Sequence, residues 1–208
     1  MKYCILIPTI NRKDLLVPAL EYYTENMPNT EIFVWDNGNQ AIPQMQRLET
    51  VVVFKNYGVA SSWNKLINLA HNRGHENYLI LNDDIIYKGG ESTLQKLIDS
   101  PDKNTFYRCR PAYNWSCYLL RHSIYEKVGP FDEGFEVCYF EDNDYEYRMG
   151  LEGIRIKFED CLNPDVYLNS QSMAADPKLN NFVKNRAYYD TKWGGPPNEE
   201  KYKTPFNK

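Results

Sequence analysis

The segment NYLILNDDIIY, residues 77 to 87, sets three polar residues, Asn82, Asp83 and Asp84, between two apolar flanks. A short apolar run with an aromatic residue reads as a buried strand, here from Asn77 to Leu81. A carboxylate buried without a partner costs several kcal/mol. The strand therefore ends near Asn82, and both carboxylates stand at its carboxyl end. Asn and Asp also make ordinary turns, so the segment by itself leaves a plain turn open. The elements around it decide between the two.

Upstream, YCILIP (Tyr3 to Pro8) reads as a buried strand and RKDLLVPALEYYTEN (residues 12 to 26) as a helix. Pro18 sits inside that helical pattern and predicts a kink or a later start, because it lacks an N–H and crowds the preceding turn. EIFVWD (Glu31 to Asp36) is a second strand, ending in the turn cluster Asp36-Asn37-Gly38-Asn39, and VVVF (Val51 to Phe54) a third. Val59, Trp63, Leu66, Ile67 and Ala70 fall at helical spacing between Val59 and Asn72. The order β-α-β-β-α-β points to an α/β sheet with parallel strands and right-handed crossovers.

Downstream, TFYRCR and YNWSCYLLR read as strands, and Arg121 to Val128 as a short helix. GPFDEGFEVCYF (residues 129 to 140) is an irregular loop, and EDNDYEYRMGLEG a compact helix stopped by Gly150 and Gly153. IRIKF returns as a strand. Asp176 is placed as the cap of a last helix from Pro177 to Trp193, and residues 194 to 208 as an extended Pro- and Lys-rich tail. One continuous domain over residues 1 to 208 is expected.

A length of 208 residues suits that, since such a chain buries roughly 70% of its unfolded surface and needs no staples. The net charge of −4 argues against a broad nucleic-acid footprint. A phosphate ligand would then need local basic residues or a metal. Five cysteines with no C-x-x-C pair read as reduced, structural cysteine of an intracellular protein. The first apolar run is too short for a signal peptide and no stretch approaches a membrane span, so a cytoplasmic protein is expected. The 17 tyrosines and 4 tryptophans suit surfaces that bind sugars or nucleobases, and equally a core.

In open α/β sheets ligands bind outside the carboxyl ends of the strands. Three polar clusters fall at such ends: Thr9-Ile10-Asn11-Arg12, Asp36-Asn37 and Asn82-Asp83-Asp84. Three together favour a site over three unrelated turns. No G-x-G-x-x-G, P-loop or G-x-S-x-G motif occurs, and His71, His75 and His122 lack metal-ligand spacing. What remains is carboxylates, which offer hard oxygen ligands to Mg²⁺ or Mn²⁺ shared with substrate phosphates.

Taken in order, ILIPTINR, VWDNGN, NYGVASSWNKLI, LILNDD and GPFDEGFEVCYFEDNDYEYRM resemble glycosyltransferase family 2, with the compact rhamnosyltransferase-like members most similar. The resemblance runs from about Ile5 to Phe158; the tail KWGGPPNEEKYKTPF resembles some small microbial and viral members. It implies the GT-A fold, a single Rossmann-like α/β domain with a mostly parallel mixed sheet flanked by helices. Residues 1 to 100 would then be the nucleotide-binding half and residues 101 to 193 the acceptor and catalytic half.

Carried over by position, Pro8, Thr9, Asn11 and Arg12 would line the nucleotide pocket, and Asp36 would accept a hydrogen bond from the base. Asn56, Gly58 and Asn64 match the family's N-x-G-x(5)-N stretch against the nucleotide. Asp83 and Asp84 fall at the D-x-D position, with Asp84 meeting the metal. Asn82 stands where the family has its first Asp, and Leu168 and Asn169 stand where many members have a metal-binding His. Asp142 falls at the catalytic base, with Glu141 and Trp115 facing the acceptor. Other roles stay open: Glu141, Asp142 and Asp144 also suit a helix N-terminus, Asp144 and Arg148 a structural ion pair, and Trp115 the core.

The resemblance implies a metal-assisted, inverting transfer of a sugar from a nucleotide-diphosphate donor to an acceptor hydroxyl on a glycan, glycoside or other molecule. UDP-sugars come first and dTDP-sugars second, with rhamnose or a hexose as the sugar and Mn²⁺ or Mg²⁺ as the cofactor. Two rival classes share the sheet and carboxylates: a nucleotidyltransferase, which usually carries a Gly-rich basic loop where this chain reads PTINRKD, and a nucleotide-sugar-binding protein without catalysis.

Overall fold

A computed structural model describes residues 3 to 168 and 176 to 208. In chain order these form β1 (Tyr3–Thr9), α1 (Lys13–Asn26), β2 (Glu31–Asp36), β3 (Leu48–Val52), α2 (Val59–Asn72) and β4 (Asn77–Leu81). Then come β5 (Ile85–Ile86), α3 (Glu91–Ile98), β6 (Thr105–Arg108), β7 (Cys117–Arg121), α4 (His122–Val128), α5 (Glu141–Leu151), β8 (Arg155–Phe158), β9 (Val166–Tyr167) and α6 (Phe182–Trp193). Seven strands make one sheet in the order β3-β2-β1-β4-β7-β6-β8. β7 alone runs against its neighbours; every other pairing is parallel. The α/β expectation, a mostly parallel mixed sheet flanked by helices, is what the structure has.

The continuous apolar runs of β1 and β4 follow from burial on both faces, as parallel sheets covered by helices require. Cys4 and Leu6 of β1, with Tyr78 and Ile80 of β4, face the layer containing α2. Ile5, Ile7, Leu79 and Leu81 face the opposite layer with Leu16 and Leu20 of α1 and Leu94 and Ile98 of α3. The period of two in the strands thus divides one apolar run between two cores. A third, smaller cluster joins Phe135 and Phe140 to Tyr189 and Trp193 of α6.

The chain leaves β1 for β2 and β3 on one side and returns through α2 to β4 on the other. The switch point is therefore the gap between β1 and β4, where an open sheet splays at its carboxyl edge. Asn82 to Asp84 follow β4 at that gap. The two-stranded β5–β9 ladder holds the next turn, and the Leu168 N–H donates to the Asp84 carbonyl at 3.2 Å.

Several expectations need correction. Pro18 does not delay the start of α1, which begins at Lys13 and contains it; burial of Leu16, Ala19, Leu20 and Tyr23 along one stripe outweighs the lost hydrogen bond. The third strand is Leu48–Val52 rather than Val51–Phe54, because its ladder with β2 is fixed by the pairs Ile32↔Leu48 to Asp36↔Val52. Phe54 beyond it is exposed. In YNWSCYLLR only the segment from Cys117 pairs as a strand; Pro111–Tyr113 before it is a 3₁₀ turn. Asp176 does cap, accepting from the Lys178 N–H, but it caps a separate 3₁₀ turn, Pro177–Leu179, and α6 starts only at Phe182. The α3 helix and the β5–β9 ladder had no counterpart in the expected element order. No helix among the described residues is long and apolar enough to cross a membrane.

Candidate active site

A cavity of about 340 Å³ opens at the switch point. Pro8 and Thr9 bring it the end of β1, Asn82, Asp83 and Asp84 the end of β4, and Asn56, Gly58 and Val59 the start of α2. Val137 to Phe140 form the opposite wall, Glu141 and Asp142 follow at the start of α5, and Phe182 enters from α6. Trp115 and Asn114 complete the wall from the β6–β7 connection. Four carboxylates, Asp83, Asp84, Glu141 and Asp142, therefore face one space from two distant chain segments.

The two strand-end carboxylates differ. Asp83 is buried and accepts a 2.7 Å hydrogen bond from Thr9 Oγ1, which ties the end of β4 to the end of β1. Burial pushes its pKa up to about 6, against the pull of the Thr9 hydroxyl, with the neighbouring Asp84 charge pushing further. No group of three or more His, Cys, Asp or Glu side chains suited to a metal occurs among the described residues. A Mg²⁺ or Mn²⁺ bound with a diphosphate draws only one or two carboxylates from the protein. Asp84 in the cavity wall, with the Asn82 carboxamide beside it, meets that smaller demand. Leu168 lies at the backbone of Asp84 and offers no ligand; Asn169 lies outside the described residues.

At the other wall, Glu141 is buried, and its Oε2 has no hydrogen-bond partner among the described residues. Burial raises its carboxyl well above the usual range, and the Asp142 and Asp144 charges add to this. Asp142 is half-buried, and burial raises its pKa too, opposed by the Asn143 N–H at 2.8 Å and the charge of Arg108. Neither is the N-cap residue, although Asp142 satisfies the first-turn Asn143 N–H. The N-cap of α5 is Phe140, in the left-handed region at φ 71° and with no side-chain cap bond. Asp144 turns the other way, to Arg148 Nε at 2.8 Å and Trp193 Nε1 at 2.9 Å, and is a structural ion-pair residue.

Val137, Tyr139 and Phe140 all have positive φ (57°, 82° and 71°) without being glycine. Left-handed backbone costs about 1–2 kcal/mol at each such residue, so something must hold the wall. Asn185 of α6 does. Fully buried, its Nδ2 donates to the carbonyls of Glu136 (2.8 Å), Cys138 (2.8 Å) and Tyr139 (3.0 Å), and its Oδ1 accepts from the Glu136 N–H at 3.1 Å. From the other side the Val137 carbonyl accepts the Val59 N–H at 2.7 Å. That approach needs Gly58: a Cβ there would meet the Val137 backbone at 3.0–3.1 Å, at φ +83°.

Other expected site residues lie behind the cavity. Asp36 is fully buried; its carboxylate accepts from the Gly38 N–H (2.8 Å), the Gln40 N–H (2.7 Å) and Gln40 Nε2 (2.9 Å). It is Asn37, next along, that lines the space. Asn11 packs against Gly38, where a Cβ would meet its Oδ1 at 2.5 Å. Arg12 makes a two-pronged 3.0 Å pair with Asp14, while its charge acts on Asp83 and Asp84. Asn64 holds the loop before α5 instead, donating to the Phe131 carbonyl and accepting from the Phe131 N–H, both at 2.9 Å. Trp115 combines two expected places: it packs with Phe106 and Tyr118 in the core, carries the Arg108 guanidinium 5.0 Å from its ring centre, and presents an edge to the cavity.

The fold is that of GT-A glycosyltransferases. The chain aligns over 77% of its length with GalNAc-T7 solved with UDP, GalNAc and Mn²⁺, at a TM-score of 0.61 and 9% identity. It aligns over 76% of its length with S. aureus TarS (TM-score 0.54, 16% identity) and over 82% with the catalytic domain of Drosophila β1,4-galactosyltransferase 7 in complex with xylobiose (TM-score 0.54, 12% identity). These alignments take in 35% of the TarS chain, 43% of GalNAc-T7 and 72% of the Drosophila domain, so the chain spans less than half of the first two. No protein-family model and no curated protein sequence matches the chain.

Proposed function

We propose that the chain transfers a sugar from a nucleotide-diphosphate donor to an acceptor hydroxyl, with inversion at the anomeric carbon. The observation that carries this reading is the meeting of two carboxylate pairs in one cavity at the sheet's switch point: Asp83 and Asp84 from β4, Glu141 and Asp142 from α5. The GT-A fold supports it, and the solved GalNAc-T7 holds UDP and Mn²⁺. The nucleotide would lie along Thr9, Asn37, Asn56 and Gly58, with a uracil donor the first choice and thymine the second, and a hexose or rhamnose as the sugar.

Asp142 would take the proton of the acceptor hydroxyl. The acceptor oxygen then bonds to the anomeric carbon from the face opposite the diphosphate, the bond from that carbon to the diphosphate oxygen breaks, and the nucleoside diphosphate leaves with the electron pair. A raised pKa suits a base that must accept a proton near neutral pH. A single base with no enzyme nucleophile gives inversion. Asp84, with Asn82 beside it, would hold Mn²⁺ or Mg²⁺ together with diphosphate oxygens, and the ion when bound would offset charge on the leaving group. Asp83 holds Asp84 in register through Thr9.

The test is release of free UDP or dTDP from nucleotide-sugars by wild type and Asp84→Ala, with and without Mn²⁺. The expected result is release by wild type with the ion and loss in the variant. Pyrophosphate release from a nucleoside triphosphate would identify a nucleotidyltransferase instead. Nucleotide-sugar binding without any release would identify a binding protein.

A further inference from the structure

We propose that the α5 end of the cavity is an acceptor subsite for an uncharged pyranose, which stacks on the ring of Phe182. The acceptor is then a neutral glycan or glycoside, not a phosphorylated or acidic one. This rests on the transferase reading above and names the substrate class of the same site.

Phe182, the first residue of α6, is 46% exposed, and its ring lines the cavity. The ring is held from behind by Phe140 at 5.0 Å and Tyr139 at 5.6 Å between centroids, so its place is set before any ligand arrives. Phe140 directly precedes Glu141 and Asp142. Glu141 adds a buried Oε2 with no hydrogen-bond partner among the described residues. An aromatic face beside a carboxyl oxygen whose hydrogen-bonding capacity is unspent is the pairing a pyranose satisfies, with its C–H face on the ring and a hydroxyl on the oxygen.

Charge narrows the class. Four carboxylates line the cavity, and no Lys, Arg or His side chain does so among the described residues. Residues 169–175 read NSQSMAA and hold no cation in any arrangement. At the α5 end a phosphate or carboxylate on the acceptor would meet like charge in a site of low dielectric, where the Arg108 guanidinium that acts on Asp142 is already paired with Glu146 at 3.0 Å. A neutral sugar meets no such penalty.

Saturation-transfer NMR with titration tests this, using methyl pyranosides and short neutral oligosaccharides against the matching uronic acids and sugar phosphates, all with UDP and Mn²⁺ present. The expected result is binding of neutral pyranosides with the strongest transfer to one C–H face, and at least about tenfold weaker binding of the anionic set. Phe182→Ala should weaken the neutral ligands about three- to tenfold while UDP affinity holds, and Phe182→Trp, which keeps a stacking face, should retain them. Equal binding of neutral and anionic ligands overturns the proposal, as does undiminished binding in Phe182→Ala. UDP binding with no pyranoside binding overturns the proposal alone. Failure to bind UDP at all overturns the transferase reading and this proposal with it.

Discussion

Asn185 should matter more to transfer than its distance from the chemistry suggests. Substitution by Ala removes four hydrogen bonds to the loop backbone, leaving the Glu136, Cys138 and Tyr139 carbonyls and the Glu136 N–H without their partner. At about 1 kcal/mol net per bond, less what entering water restores, the loss of stability is about 2–4 kcal/mol. The larger effect is local. Three non-glycine residues of this loop hold positive φ, and that strain relaxes once the clamp is gone. Tyr139, one of the clamped residues, is three positions before Asp142. A shift of about 1 Å in a reacting group costs about 100-fold in rate. The nucleotide side is built from β1, β4 and α2, and it meets the loop through the Val59 N–H bond to the carbonyl of Val137, a residue Asn185 does not itself hold. Denaturant unfolding, UDP calorimetry and single-turnover transfer on one preparation of Asn185→Ala should therefore give lower stability, unchanged UDP affinity and a rate about 100-fold down. Wild-type transfer in a protein destabilised by the full amount would show that the strained wall plays no part in placing Asp142.

Asp142→Asn should lose about 10²- to 10⁴-fold in transfer yet keep UDP affinity and melting temperature, since Phe140 and not Asp142 caps α5; a rate near wild type would move the base to another residue. Gly58→Ala forces a Cβ onto the Val137 backbone at positive φ, and should cost about 1–3 kcal/mol of stability and weaken UDP, read by thermal shift and calorimetry; wild-type values for both would show that the approach of the two segments is not tight. Asp83 has a pKa raised to about 6 by burial, so the folded state holds its proton more tightly than the unfolded chain does. The stability it contributes is full below about pH 4 and is lost as pH rises through about 6, an upper bound of roughly 3 kcal/mol. Asp83→Asn still offers Thr9 an acceptor, and its stability relative to wild type in metal-free buffer should rise by about 2 kcal/mol at most from about pH 4.5 to about pH 7.5; a difference independent of pH refutes the shift.

The fold was legible where local pattern and tertiary demand coincide. β2, α2 and β4 have the expected limits because each is bounded by a turn cluster and filled with the right period. β3 was misplaced because VVVF is the more apolar window, whereas the ladder with β2 selects LETVV, an edge strand whose residues stay partly exposed. Hydrophobicity cannot report register at a sheet edge, since little there is buried. α1 shows the opposite conflict: a proline that propensity counts as a breaker is carried inside a helix by packing on β1 and β4.

The candidate site divides along the same line. Strand ends are readable because a polar residue closing an apolar run must face the carboxyl edge, which put Thr9, Asp83 and Asp84 at the cavity. The loop from Val137 to Phe140 carried no such mark. Left-handed backbone is announced by glycine or asparagine, and here it falls on Val, Tyr and Phe, imposed by Asn185 from a helix more than forty positions later. Asp36 and Asn37 show how fine the limit is. Both close β2, and only the direction of the last side chain decides which one sees the cavity. Asp36 turns inward because the Gly38 and Gln40 N–H groups consume its oxygens, leaving Asn37 to line the space, with its Nδ2 3.0 Å from Ser62 Oγ. Three of the roughly four acceptor sites of the Asp36 carboxylate are taken, two of them by Gln40, so a base would compete with Gln40 for it. If Asp36 does contact the nucleotide, Gln40→Ala should therefore tighten UDP binding, whereas an unchanged or weaker affinity would leave Asp36 as the staple of the turn.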